Sequence, residues 1–467
     1  MLDHAQWLAV ADRAVDMMDG RTPADSSGPR FQSEEPPLHR AARLGDHDAI
    51  RELVDRGAAL DELFNIRTDS GARAVLATPL MVAAGSEYGA TVETVELLLE
   101  LGASIDPGPS GVSALSFACE GLWLGYPPDG DAQRVRALLR AGSDPQVAGT
   151  NGKSALARAA STGDPVRVAL LLAAGADPNP TAKSDFALPV FEAVRSDVVE
   201  CVELIVAAGA DVNAVGQWGN PILASATSAE MIAFLLAAGA DPRARGFKGT
   251  AIAEELACRG FGIHNEPGER VAMLRLLIEA GVDIDGPSLG GTELEGAVRG
   301  GSARGVEALL AVGANPWVDD LLLEACFSYG REGNAEWQRV VDLLLGVGYD
   351  ANRLTNSEFP PLLHALQDES YREVGSDGIN VPVALALLRH GASIDTTFPG
   401  TGYRPLHAAA AAGSAALIDA LLAAGAPPTD RTLDGRTAIE LADGAGCADC
   451  VRLLRSALTQ RSSPPGC

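Results

Sequence analysis

The chain has 467 residues, enough for about three ordinary domains or for one elongated repeat array whose size no single core limits. An apolar share of 47% with 21% charged residues excludes a mainly disordered protein. With 62 acidic against 36 basic residues, the formal net charge is −26; this argues against nucleic acid or an anionic bilayer as partner and favours a cationic one.

The opening MLDHAQWLAV has no basic stretch before its apolar residues, so no secretory signal is expected, and no apolar run approaches the ~18 residues of a membrane span. A cytoplasmic location is the expectation. Trp7, Val10, Ala14 and Met17 fall at helical spacing and are followed by a polar stretch with Pro and Gly. Residues 1–35 therefore read as a capping helix and linker.

From residue 36 one phrase returns: VALLLAAGADPNP at 168–180, VELIVAAGADVNA at 202–214 and IAFLLAAGADPRA at 232–244. Its glycine can be followed through Gly57, Gly102, Gly142, Gly175, Gly209, Gly239, Gly281, Gly313, Gly348, Gly391 and Gly425, at gaps of 30 to 45 residues. Gaps near 33 recur, so a fixed structural unit accepts insertions. In one well-formed copy, Ser154 is placed to cap a short helix with Leu156, Ala159 and Ala160 on one face. Gly163-Asp164-Pro165 stops that helix and starts a second, whose Val168, Leu171 and Leu172 form an apolar stripe. Gly175 can turn left-handed at the helix end without a Cβ penalty. A single copy cannot bury its own stripe, so the neighbouring copy must supply the other half of the core.

Pro37-Leu38-His39, Thr78-Pro79-Leu80, Pro405-Leu406-His407 and Thr437-Ala438-Ile439, with exits such as Gly175-Ala176-Asp177, resemble the ankyrin repeat family over about 36–458, in eleven to twelve repeats. The resemblance implies an all-α-dominated solenoid of helix-turn-helix units with short β-hairpin fingers. It also implies inter-repeat hydrogen bonding by His39 and His407, and a concave groove of finger tips and first-helix faces that binds a protein or peptide. On that groove the expected contacts are Phe64, Arg67, Trp218, Phe247, Lys248, Phe398 and Tyr403.

The departures from the repeat are a lengthened hairpin between Leu60 and Thr78 and four extensions between first and second helices, at 119–133, 258–270, 326–338 and 366–382. They concentrate aromatics, and Trp123, Tyr126, His264, Tyr329 and Trp337 form a second candidate set, each balanced against simple shielding of its own repeat.

Three motifs suggest chemistry and each has a plainer reading. GTNGKS at 149–154 resembles a phosphate loop, but the required first glycine is Val147. Gly286-Pro287-Ser288-Leu289-Gly290 fits a nucleophile elbow, but lies in a hairpin with no large sheet. Cys447-Ala448-Asp449-Cys450 is a CxxC with no second pair, and all seven cysteines are expected to be reduced, the helical ones buried. No cofactor and no metal site is expected, and a monomer is.

Two other classes stay open: an inhibitor or immunity-type protein that neutralises a basic enzyme, and an enzyme assembled from the insertions through His264, Glu266 and Tyr329. Residues 459–467 read as a flexible tail. Deleting residues 1–35 is expected to lower solubility or melting temperature. An unaltered melting curve for a monomeric truncated chain would show that the segment is no cap.

Overall fold

The computed structural model describes residues 35–462 apart from 68–73, 87–88, 106–111, 121–131, 148–152, 181–187, 217–218, 247–250, 254–255, 257–266, 287–290, 318–320, 327–334, 355–358 and 368–378. The expected N-terminal cap lies outside the described residues. The chain divides into two compact bodies, one up to Lys248 and one from Gly249.

The first body is built from helix pairs: α1 (Pro37–Leu44) with α2 (His47–Asp55), α3 (Pro79–Gly85) with α4 (Val92–Glu100), and α5 (Ala114–Glu120) with α6 (Ala132–Arg140). Then follow α7 (Ala155–Ser161) with α8 (Pro165–Ala173), α9 (Pro189–Ser196) with α10 (Val199–Ala207), and finally α11 (Ala229–Ala237). The partner of α11 is a single 3-10 turn, Ile222–Ser225, instead of the expected first helix. This copy has the shortest gap, from Gly209 to Gly239, and so the least chain for its first helix. The lengthened hairpin is a two-stranded antiparallel ribbon, β1 (Phe64–Arg67) on β2 (Ala74–Ala77), with Phe64 opposite Ala77.

The second body runs α12 (Pro267–Glu279), α13 (Glu293–Arg299) with α14 (Ala303–Ala311), α15 (Leu321–Cys326) with α16 (Ala335–Val347), and α17 (Pro361–Ala365) with α18 (Val381–Arg389). It ends with α19 (Pro405–Ala411) and α20 (Ala415–Ala423), then α21 (Ala438–Gly444) and α22 (Ala448–Ser462). The last helix continues to Ser462, so the expected start of the tail at 459 is too early.

The local rules are those of the sequence. Ser154 Oγ accepts the Ala157 N–H at 3.2 Å to open α7, and Asp164 Oδ1 accepts the Arg167 N–H at 3.0 Å to open α8. All eleven recurrent glycines have positive φ, from 82° to 115°. At Gly209 the N–H reaches Val206 O at 2.9 Å and the next N–H, of Ala210, reaches Ile205 O at 3.1 Å, which closes the last turn of α10. Within α8, Val168 and Leu171 are fully buried, and each such side chain contributes about 1.5–3 kcal/mol by leaving water.

Neighbouring copies are also clamped through polar groups at their exits. Asn179 donates from Nδ2 to Gly209 O at 2.8 Å and accepts the Asp211 N–H at Oδ1, 3.1 Å. Asn213 repeats this toward Gly239 O and the Asp241 N–H, and Gln146 toward Gly175 O and the Asp177 N–H. In the second body Asn352 holds Gly391 O and the Ser393 N–H in the same way. A carboxamide suits the place because one side chain offers both a donor and an acceptor to an exit loop whose backbone groups lack helix partners.

Two glycines separate backbone strain from crowding. A Cβ on Gly209 would have nothing within 4 Å, whereas one on Gly301 (φ 66°) would meet Trp337 Cε2 at 2.7 Å. Gly209→Ala is expected to cost ~1–2 kcal/mol through left-handed strain alone. Gly301→Ala adds displacement of a buried ring and should cost more than ~2 kcal/mol. Urea unfolding of the two variants checks this, and equal losses would contradict the packing of Trp337 on Gly301.

Candidate functional site

The residues expected on the groove separate by structure. Trp218, Phe247 and Lys248 lie outside the described residues, as do Trp123, Tyr126, His264 and Tyr329. Phe64 is half-buried on β1, its ring 5.6 Å from that of His39, and the Arg67 backbone pairs with Ala74 at the end of the ribbon where the chain passes from β1 to β2. Three of the expected aromatics are turned inward: for Phe398 and Tyr403 this corrects their place on the open groove, and for Trp337 it meets the alternative that it shields its own repeat. Phe398 is only 2% exposed, and Tyr403 lies beside it through the Phe398 N–H···O=C Tyr403 bond of 2.8 Å. The Tyr403 hydroxyl accepts from Arg436 Nη2 of the next copy at 3.0 Å, so this finger packs down on its neighbour. Trp337 is buried at the first turn of α16, over Gly301. It shields its own part of the stack.

An aromatic outside the expected set takes the open position. Trp317 is 60% exposed, and its ring stacks on Tyr349 of the next copy with centroids 5.5 Å apart and planes 24° from parallel. Tyr349 is buried, and its hydroxyl donates to Pro316 O. Below the ring, Asn315 Oδ1 accepts the Trp317 N–H at 3.0 Å, and Asp285 Oδ1 accepts the Asn315 N–H at 2.8 Å. The finger that begins at Tyr349 also carries Leu354, 64% exposed. Exposed carboxylates of Asp283, Asp285 and Asp350 belong to the same run of fingers. A signal was present in the sequence: Asn315-Pro316-Trp317 stands in the register of Asp177-Pro178-Asn179, so tryptophan occupies the slot that elsewhere holds the clamping amide. The arrangement presents a large, amphipathic ring with restricted motion on a rigid support, suited to binding.

The model for three ankyrin repeats matches residues 115–216, and the single ankyrin repeat model matches 76–107 and 401–433. The chain contains ankyrin repeats. No curated protein sequence matches it at a significant level. Among solved structures it is similar to the human ASB11 ankyrin repeat domain, at 23% identity and TM-score 0.41, over 53% of this chain and 99% of that one. It is also similar to the ankyrin repeat domain of Bcl-3, described as a member of the IkappaB family, at 28% identity and TM-score 0.37, over 48% and 94%. The family supports a protein–protein interaction scaffold.

The chemistry-bearing motifs of this chain resolve as follows. Lys153 pairs with Glu192 of the next repeat at 3.0 Å, both largely buried, which places the cation in the stack. Pro287–Gly290 of the elbow motif lie outside the described residues. Among the described residues no group of three or more His, Cys, Asp or Glu could hold a metal, and no helix is long and apolar enough to cross a membrane. Cys119, Cys201 and Cys326 are buried; burial pushes the Cys201 thiol up to about 12, with Asp164 adding to the effect. Cys447 and Cys450 are instead joined by a disulfide, which corrects the expectation that every cysteine is reduced. The physical reason is that the first turn of α22 brings their Cα atoms within 5.3 Å.

The ankyrin histidines do link repeats. His39 Nε2 lies 3.1 Å from Ala77 O, and His407 Nε2 lies 3.0 Å from Asp430 O. Because His407 Nδ1 accepts the Arg404 N–H at 3.1 Å, its proton belongs on Nε2. Burial lowers the pKa of both rings, and that of His364 falls to about 4, opposed by a bond to the Phe359 backbone. A histidine with a depressed folded pKa takes up its proton first in the unfolded chain, whose value is about 6.5. Its stabilising contribution is therefore complete above that value and is lost as pH falls toward 4. Proton NMR titration should show the His364 ring still neutral at pH 5; half-protonation near 6.5 would contradict its burial.

Proposed function

We propose that this chain is a non-enzymatic scaffold that binds a protein or peptide through its finger tips, with Trp317 as an anchor. The observation that carries the reading is the 60% exposed indole held in place by a buried tyrosine. A tryptophan already ordered before binding loses little rotamer freedom on contact, and such rings dominate interface energetics. In the first body, Arg67, Trp218, Phe247 and Lys248 are proposed as a further finger-tip set on the ground of their turn positions. The net charge of −26 and the aspartates beside the tryptophan support a cationic partner, with charge acting on encounter more than on final affinity.

The test begins with a partner recovered on the immobilised chain, followed by titration calorimetry with Trp317→Ala. Truncation is expected to cost ~2 kcal/mol or more, about thirtyfold in affinity, with an unchanged far-UV circular dichroism spectrum. Binding at the original strength would remove Trp317 from the interface and direct attention to the first body.

A further inference from the structure

Helix starts in this protein follow one pattern. Asp46, Asp164, Ser228, Ser302, Asn380 and Ser414 each place a side-chain oxygen on the N–H three residues on, at the start of a second helix. In α22 that position belongs to Cys447. Its carbonyl accepts the Val451 N–H at 3.1 Å, and its Sγ accepts the Cys450 N–H at 3.2 Å, so sulfur takes the place of the capping oxygen. The residue three positions on is the second cysteine, and the two are bonded. Cys447 is half-buried against Gly413, whereas Cys450 is fully buried.

We propose that the Cys447–Cys450 disulfide is a reversible thiol–disulfide exchange site that sets how tightly the terminal repeat closes on the second body. α22 packs on α20 and α21, and Leu417, Ile418 and Leu421 of α20 are fully buried. Whatever loosens the first turn of α22 loosens the cover over that face. The exposures fix the order of events. A thiolate of a small thiol such as glutathione attacks Cys447 Sγ, the accessible sulfur. The S–S bond breaks, its electron pair leaves on Cys450 Sγ, and that sulfur takes a proton from solvent. A second thiol attacks the outer sulfur of the mixed disulfide and releases Cys447 as thiolate, still within reach of the Cys450 N–H at a helix N-terminus, the place that favours an anionic sulfur. In sum, one protein disulfide and two thiols become a protein dithiol and one low-molecular-weight disulfide. The reduced turn keeps the Cys447 sulfur as its cap but loses the covalent link that ties the cap to the fully buried Cys450.

The experiment uses the full chain with Cys258→Ser and Cys467→Ser, equilibrated in glutathione buffers of varied reduced-to-oxidised ratio. Alkylation with mass mapping reads the state of Cys447 and Cys450, and amide hydrogen exchange reads α22. The pair is expected to pass from disulfide to dithiol across the series, with exchange in 448–462 about tenfold faster on reduction and exchange in α8 unchanged. Adding Cys447→Ser keeps an oxygen cap and should abolish the dependence on glutathione. A pair that stays in one state at every ratio, or equal exchange of α22 in both states, would overturn the proposal.

Discussion

The structure depends on the burial of each second helix against the next copy of the motif. Helices of seven and nine residues such as α7 and α8 are too short to persist alone, since isolated helices below ~12–15 residues are marginal in water. Their apolar stripe is wide enough to stabilise them only when both flanks are covered. Val168, Leu171, Ile205 and Leu235 are all fully buried on successive second helices of the first body. The left-handed glycine at each exit follows from this need, because the chain must leave the helix abruptly to begin the next copy at stacking distance.

Given that stacking, the exit loops become the place where copies are tied and where surface is offered. In the first body the tie between copies at Gln146, Asn179 and Asn213 is a carboxamide, which spends its own polar groups on the neighbouring exit. Between Asn315 and Asp350 the tie is aromatic: Tyr349 supplies the buried ring and the hydroxyl bond, and Trp317 covers it from outside. The same substitution that preserves the link between copies therefore creates an exposed indole of fixed orientation. Structure and proposed binding are two consequences of one replacement. The disulfide at α22 is a comparable case, with a capping oxygen exchanged for sulfur in an otherwise conserved turn geometry.

Much of this was legible in the sequence because the informative residues act locally. Ser154 and Asp164 cap the helices they precede, and Gly209 takes the left-handed conformation that its place after Val206-Ala207-Ala208 requires. The ribbon at Phe64–Ala77 was marked by extra length alone. What escaped depends on contacts between copies. Whether an aromatic on a finger points outward or down is decided by the next copy, so Phe398 and Tyr403 were expected in the open and Trp317 was passed over. Trp337 is buried because Gly301, distant in sequence, leaves room for its ring. The first helix before α11 shrinks to one 3-10 turn because the copy is short, a feature visible in the spacing but not in any single residue.

The most direct test of this account is the far-UV circular dichroism of an isolated peptide spanning residues 153–178, one complete copy with α7 and α8. If neighbouring copies supply half of every core, the peptide should give a coil spectrum with no cooperative thermal transition. A helical spectrum with a cooperative melt would contradict the dependence of each copy on its neighbours.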